Sequence, residues 1–489
     1  MVNLYLGIDV SKGYADFALL DQDRKTVEPV FQLDDTATGH RKLGEFLERV
    51  FRRWPHATLY CGLESTGGYE NRWYDHLLAA SAKWDVKVAR LNPTVIKAHK
   101  KALATQTDTD PVTAKAIASY LATYPESVHY AQGPDYRSLR QLIKLIHQLI
   151  QQKTRHVNQL EKMMYQYNPT VLLYWTNPLA KWLLRLIQRY PTTAHLRAAS
   201  AEELCTIPYL TPDKAEKILH QAHQARLVPF DALVEVTIRV LVDQLLLLDK
   251  RIEQLKATLV EHVSKQPQLA PLFHLWLTYK GCSQYTAAAL AVHFVSVHRF
   301  AKAKSTAAYF GVNPVFRQSG DGNWGYHMSQ KGNRIVKSLL YMISRSGIQS
   351  NPVLRAVYSS ALSRGKSKSA ALGICMNKTV RILYGMAKNG KPFDPQLALE
   401  QMQRHAKLNA QEERAVQRRR RYQDFDEVAP ISTRQRKKRE QVESQPASTQ
   451  DQSSINRDHR TCSPRQSILP NQKIQSLSTN SIQPTRPFA

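Results

Sequence analysis

Residues 3 to 9, Asn3-Leu4-Tyr5-Leu6-Gly7-Ile8-Asp9, are an almost unbroken apolar run that ends in a carboxylate. A run this short and this apolar predicts a buried strand rather than a helix. Everything that follows must be arranged around a strand that delivers Asp9 at its C-terminal end. Residues 14 to 20 predict a second strand and 25 to 33 a third, completing a meander. Residues 40 to 53 predict an amphipathic helix, 57 to 63 a strand leading into Glu64, 69 to 80 a helix, 86 to 91 a strand and 113 to 124 a helix. Three strands, a helix, then alternating strands and helices is the order of an RNase H-like fold.

Downstream the period changes. Leu139, Leu142, Leu145, Ile146 and Leu149 recur at helical spacing in a stretch from 136 to 167. Val240, Leu241, Leu245, Leu248, Ile252 and Leu255 do the same between 233 and 263. Long amphipathic helices of this kind pack on each other or on a partner chain. Residues 168 to 230 read as a small helical insert between them, and 270 to 395 as a compact region. From 396 onwards the sequence contains no glycine and carries the basic runs Arg418–Arg421 and Arg436–Arg439. Past about residue 430 it has too little apolar surface to offset ordering entropy, so a disordered basic tail is expected.

The formal charge of +28 favours a polyanionic partner. The tail accounts for only part of it, because Lys and Arg are also dense at 97–101 and 331–337. Five scattered cysteines without a Cys-x-x-Cys pair indicate neither a disulfide framework nor a zinc site. That usage fits a reducing cytoplasm. No secretory leader is expected, and Leu245–Leu248 is too short to span a bilayer.

Asp9 and Glu64 both stand at strand C-termini, where parallel strands converge. Two hard carboxylates brought together there bind Mg2+, which keeps its waters and takes phosphate oxygens. The alternative is that each acid caps a turn. A third acid is expected near the start of the helix over 108–123, from Asp108 or Asp110. Pro111 suits the first turn, which makes Asp110 a candidate N-cap.

The segment Gln318-Ser319-Gly320-Asp321-Gly322 predicts an exposed turn, and a serine among polar residues and glycines can reach a phosphate. An ordinary surface loop is the alternative. Then His327, Ser329, Lys331, Gly332, Asn333 and Arg334 open a helix that continues through Met342. Cations at a helix N-terminus can hold DNA phosphates. Lys280-Gly281-Cys282-Ser283 before a run of alanines looks like half of a helix-hairpin-helix, with Ser283 in place of its second glycine.

Together these motifs resemble the IS110-type transposases, which include the Piv-like DNA invertases. The resemblance rests on Leu6–Lys12, Leu63–Tyr69, Thr109–Ala118, Gly281–Ala289, Ala307–Gly311, Pro314, Ser319-Gly320, Ser329 with Lys331–Arg334, Asn351-Pro352 and Arg364–Lys366. It covers about residues 3 to 395.

The resemblance implies a RuvC-like (RNase H-like) α/β domain over 1–130, coiled-coil helices with an insert over 131–268, and a mostly helical transposase domain over 269–395. The basic tail over 396–489 lies outside it. It carries catalytic roles to Asp9, Glu64, Asp110 and Ser319. It puts the fourth metal-binding acid at Thr113, where a hydroxyl replaces the carboxylate. Asp108 could compensate, although its spacing suits another helix face. Nucleic acid would be held by Lys331, Asn333, Arg334, Lys337, Arg364 and Lys366. The implied cofactor is Mg2+ or Mn2+. The implied partners are DNA, a structured guide RNA and further copies of the chain in a dimer or tetramer, with no membrane. The setting would be a bacterial or archaeal cytoplasm, at the nucleoid. Two other readings follow from the same residues: a RuvC-like nuclease with no role for Ser319, and a weakened or repurposed nucleic-acid-binding descendant.

Overall fold

A computed structural model describes residues 2–65, 67–103, 109–131, 135–319 and 322–414, with isolated positions between 428 and 437. The expected tail past 430, Asp108 and Gly320 fall largely or wholly outside the described residues. The chain divides into two compact units between Asp135 and Tyr136.

The first unit is mixed α/β. Its elements are β1 (Asn3–Ser11), β2 (Tyr14–Leu20), β3 (Thr26–Asp34), α1 (Ala37–Arg53), β4 (Thr58–Glu64), α2 (Asn71–Ala80), β5 (Val86–Leu91), α3 (Pro93–Ala102) and α4 (Asp110–Thr123). The sheet order is β3-β2-β1-β4-β5. β1, β2 and β3 pair antiparallel, and β1, β4 and β5 pair parallel. The meander and the alternating elements therefore lie as the sequence predicts. One helix, α3, has no counterpart in that prediction.

Alternation along β1 decides what lies on each face. Leu4, Leu6, Ile8 and Val10 join a core with Leu43, Phe46 and Leu47 of α1 and Trp73 of α2. The opposite face carries Tyr5, Gly7 and Asp9 and is covered by α4, with Ile117, Ala118 and Leu121 in its core. Gly7 pairs with Gly62 of β4. A Cβ on Gly7 would stand 2.0 Å from the Ala114 carbonyl oxygen and 2.4 Å from the Ala118 nitrogen. Gly7 is thus the seat on which the α4 backbone rests, while Gly62 beside it faces the side chains of Ile117 and Leu121.

The second unit is mostly helical. α5 (Arg137–Tyr167) and α10 (Ala232–Lys265) run antiparallel, joined by Tyr136 to Gln268 at one end and Lys153 to Asp249 further along. Between them come α6 (Lys181–Arg189), α7 (Thr193–Arg197), α8 (Ala201–Cys205) and α9 (Pro212–Gln224). After them come α11 (Ala270–Leu277), α12 (Gln284–Phe294), α13 (Ala303–Tyr309), β6 (Pro314–Ser319), β7 (Gly322–Met328), α14 (Arg334–Ser350), α15 (Pro352–Ser363), α16 (Lys368–Asn389) and α17 (Pro395–Arg414).

Leu160, Met164, Ile238 and Leu245 close a core with the insert. At the other end Ile143, Ile146, Ile252 and Leu259 belong to the same core as Phe273, Trp276 and Leu340. The division expected at 268/269 therefore falls inside one core, because the long helices share their buried faces with the helices that follow. The β6–β7 hairpin is a further difference from the expected loop. Its strand formers Val315, Phe316, Trp324 and Tyr326 are interleaved with Gly, Asn, Gln and Arg, which read as loop. Among the described residues no helix is long and apolar enough to cross a membrane.

Candidate acid site and serine hairpin

The glycine seat and the acid site are parts of one packing arrangement. Asp9 is one alternation step beyond Gly7, and Glu64 one step beyond Gly62, on the face that α4 covers. Asp110 is one helical turn before Ala114, the residue that meets Gly7. Seating α4 therefore brings Asp110 toward Asp9 and Glu64. Burial raises the Asp9 carboxyl to about 7, and repulsion from Glu64, Asp110 and Asp16 adds to the rise while Lys100 opposes it. The carboxylates that the sequence analysis selected thus share one electrostatic field.

Asp110 is not the N-cap. Thr109 holds that position with extended backbone, and Asp110 is the first helical residue. Its carboxylate accepts a hydrogen bond from the Tyr14 hydroxyl at 3.0 Å. Thr113 is 8% exposed. Its hydroxyl donates to Thr109 O at 3.1 Å and accepts from Lys100 Nζ at 2.7 Å.

Tyr14, Asp16 and Lys100 are the residues that sequence reasoning missed. Asp16 lies directly opposite Asp9 on β2, is 3% exposed, and has its carboxylate held by Gln32 Nε2 at 3.1 Å. Burial pushes its carboxyl up; the Gln32 bond lowers it and the Asp110 charge raises it further. The register was readable: Lys12-Gly13 is a two-residue turn with Gly13 at φ +96°, and it sets Tyr14 against Ser11 and Asp16 against Asp9. Lys100 had no such signal, since it approaches through packing of α3 on α4. The loop after Glu64 is folded back by Glu70, buried to 4%, which accepts from the Gly68 N–H at 2.9 Å.

The donors are hard carboxylate oxygens, which suit a hard divalent cation. Among the described residues no three Asp, Glu, His or Cys side chains are gathered tightly enough to hold a metal ion by themselves. Water and phosphate oxygens would complete such a shell.

In the second unit Ser319 is the last residue of β6 and pairs with Gly322 across the hairpin end. The start of α14 is packed onto the α13 terminus: a Cβ on Gly311 would stand 1.8 Å from Lys331 O, and one on Gly332 would stand 2.7 Å from Phe310 O. Of the expected nucleic-acid contacts, Lys331 and Arg334 are exposed, as are Arg364 and Lys366 near the end of α15. Asn333 and Lys337 have internal work instead. Asn333 Oδ1 caps α14 by accepting from Ile335 and Val336. Lys337 Nζ donates to Ser329 O at 2.8 Å, and burial lowers its pKa, with Arg334 adding to the fall. The Lys280–Ser283 turn is likewise docked inward, with Gly281 against Gly347 and Lys280 O accepting from Asn351.

The fold is an α/β unit with acids toward its strand ends, followed by a mostly helical unit. Comparison with known proteins identifies the family. A transposase model of the IS110 acidic type matches residues 6–169, and a second, for transposases of the IS116/IS110/IS902 family, matches 274–359. An insertion element IS110 protein of 43.6 kDa from Streptomyces coelicolor is 23% identical over 59% of this chain and 73% of its own length. An insertion element IS116 protein of 44.8 kDa from Streptomyces clavuligerus is 23% identical over 80% of this chain and 96% of its own. The solved Thermus thermophilus RuvC–Holliday junction complex aligns at TM-score 0.22 and 13% identity, over 27% of this chain and 99% of that one. The chain belongs to the IS110-type transposases, and its activity is that of a DNA transposase or recombinase.

Proposed function

We propose that the chain exchanges DNA strands with two chemical centres, a divalent-metal acid site and a serine nucleophile. The observation that carries this reading is the shared field of Asp9, Glu64 and Asp110 at the ends of β1, β4 and the start of α4. Asp9, Glu64 and Asp110 would hold Mg2+ or Mn2+, which when bound neutralises phosphate charge and polarises the scissile phosphodiester. Tyr14 fixes the Asp110 carboxylate, and Asp16, opposite Asp9 on β2 and held by Gln32, adds negative charge beside Asp9. Ser319, at a hairpin end, would attack phosphorus through Oγ. The P–O bond to one strand end breaks, that oxygen takes up a proton, and a phosphoserine link forms. A hydroxyl of a second strand then attacks the same phosphorus and returns the proton to Ser319, so the bond energy is conserved without ATP.

Lys331, Arg334, Arg364 and Lys366 would hold the phosphate backbone, and part of the basic surface would hold a structured guide RNA. Leu233, Val236, Val240 and Leu247 form an exposed apolar stripe at heptad-like spacing on α10, which supports assembly with further copies through this helix. A second reading, a weakened or repurposed descendant, is favoured by Thr113 alone.

The test is a covalent trap. Full-length protein is incubated with end-labelled element DNA and Mn2+, then denatured. A label-bearing adduct mapped to Ser319 by peptide mass spectrometry is expected. Cleaved DNA with no adduct would instead identify a hydrolytic nuclease.

A further inference from the structure

Glu64, Asp110, Asp16 and Lys100 all act on the Asp9 carboxyl, the acids raising it and the lysine lowering it. Lys100 Nζ lies 2.7 Å from Thr113 Oγ1. The Thr113 hydroxyl gives its proton to Thr109 O, so the oxygen that receives the ammonium is oriented for it. Thr113 is buried, so this bond is sheltered from water. The ammonium also acts on the Asp9 carboxyl. A carboxylate at 113 would draw a hard cation. A hydroxyl bonded to an ammonium places positive charge there already, and a nearby lysine disfavours a second dication by direct repulsion. Asp16 does not compensate as an outward ligand, because it is buried and its two oxygens face Gln32. Lys100 thus offsets part of the negative charge that Asp9, Glu64 and Asp110 bring together, and this weakens the draw on a second dication.

We propose that Lys100, held on the hydroxyl of Thr113, is a built-in counter-charge of the acid site and limits it to a single divalent cation. This rests on the metal reading above. Lys100 is here a positioning residue: it sets the charge that the acids present and holds the start of α4 against α3. It also gives Thr113 a role that a decayed acid position would lack.

The experiment is a Mn2+ titration of the full-length protein, with free Mn2+ read by electron paramagnetic resonance. Asp9→Asn defines the background of surface binding. The expected result is one Asp9-dependent Mn2+ per chain in the wild type and in Thr113→Asp, which keeps Lys100, and two in the double variant Lys100→Met, Thr113→Asp; two ions in Thr113→Asp, or one in the double variant, would overturn the inference. In Lys100→Met alone, one ion should bind about tenfold more tightly, because a nearby cation is gone. Lys100→Arg, which keeps the charge, should stay near wild-type affinity. Two Asp9-dependent ions in the wild type would overturn the inference and leave the metal reading standing. Unchanged affinity in Lys100→Met, with the melting temperature of the metal-free protein also unchanged, would overturn it as well. No Asp9-dependent ion in any variant would remove the metal reading and the inference together.

Discussion

The carboxylates of the first unit and the serine of the second reach their places by different means. Asp9, Glu64 and Asp110 are consequences of the core: Gly7 seats α4 beside Gly62, and the acids are one step or one turn from these positions. Ser319 is at the end of a two-stranded hairpin, where backbone pairing with Gly322 places it. A site built into packing is pre-organised and costly to disturb. A serine on a hairpin end, as the proposed nucleophile, could follow a substrate, and Ser319→Ala should leave the fold alone. The basic residues behind the hairpin divide the same way. Lys331 and Arg334 face outward, while Asn333 and Lys337 cap and tie the start of α14.

The largest effect should come from the seat itself. Gly7→Val places its side chain on the α4 backbone and should cost about 3 kcal/mol or more in urea unfolding. Gly62→Ala meets only side-chain methyls at 3.0 Å and should cost about 1 kcal/mol. Equal losses at the two positions would mean that the α4 backbone does not rest on Gly7.

A second, smaller effect concerns the charge of the site. Burial and neighbouring acids raise Asp9 from 3.8 to about 7, so without metal the folded state binds the proton more tightly than the unfolded chain. Its contribution is favourable below about pH 4 and is lost as pH rises through about 7. Melting temperature in chelator should therefore fall across that window, and Asp9→Asn should flatten the fall. With Mn2+ present the order should reverse at pH 8, with the wild type the more stable. An unchanged slope in Asp9→Asn would mean that neither burial nor neighbouring charge raises Asp9.

The smallest effects separate the two kinds of basic residue. Lys331→Ala should weaken DNA binding and reduce the slope of log affinity against log salt by about one. Lys337→Met should leave that slope alone and cost about 1 kcal/mol of stability, from the lost bond to Ser329 O. The opposite assignment would move Lys337 into the nucleic-acid interface.

How much was legible in the sequence follows the same division. Strands β1 to β5 were readable from short strand-like runs, and so was the position of Asp9 and Glu64 toward the C-terminal ends of β1 and β4. The opposition of Asp16 to Asp9 was readable through the Lys12-Gly13 turn and was overlooked. Asp110 as a cap was a natural reading of Asp-Pro, but Thr109 takes that position and leaves Asp110 for Tyr14. Lys100 was not readable, since it meets Thr113 across a helix–helix contact that no local pattern announces. The β6–β7 hairpin was hidden because its strand formers are diluted by turn residues. The shared core of the long helices with α11 to α16 was hidden because periodicity gives a buried face without its partner.

The central claim is that strand exchange needs both centres. It is tested most directly by amplifying the recombined junction in cells carrying the gene with its flanking DNA. Wild type is compared with Ser319→Ala and with Asp9→Asn, each at matched protein level. A junction is expected in the wild type, with a loss of about a thousandfold or more in each variant. A junction that persists at wild-type level in either variant would contradict it.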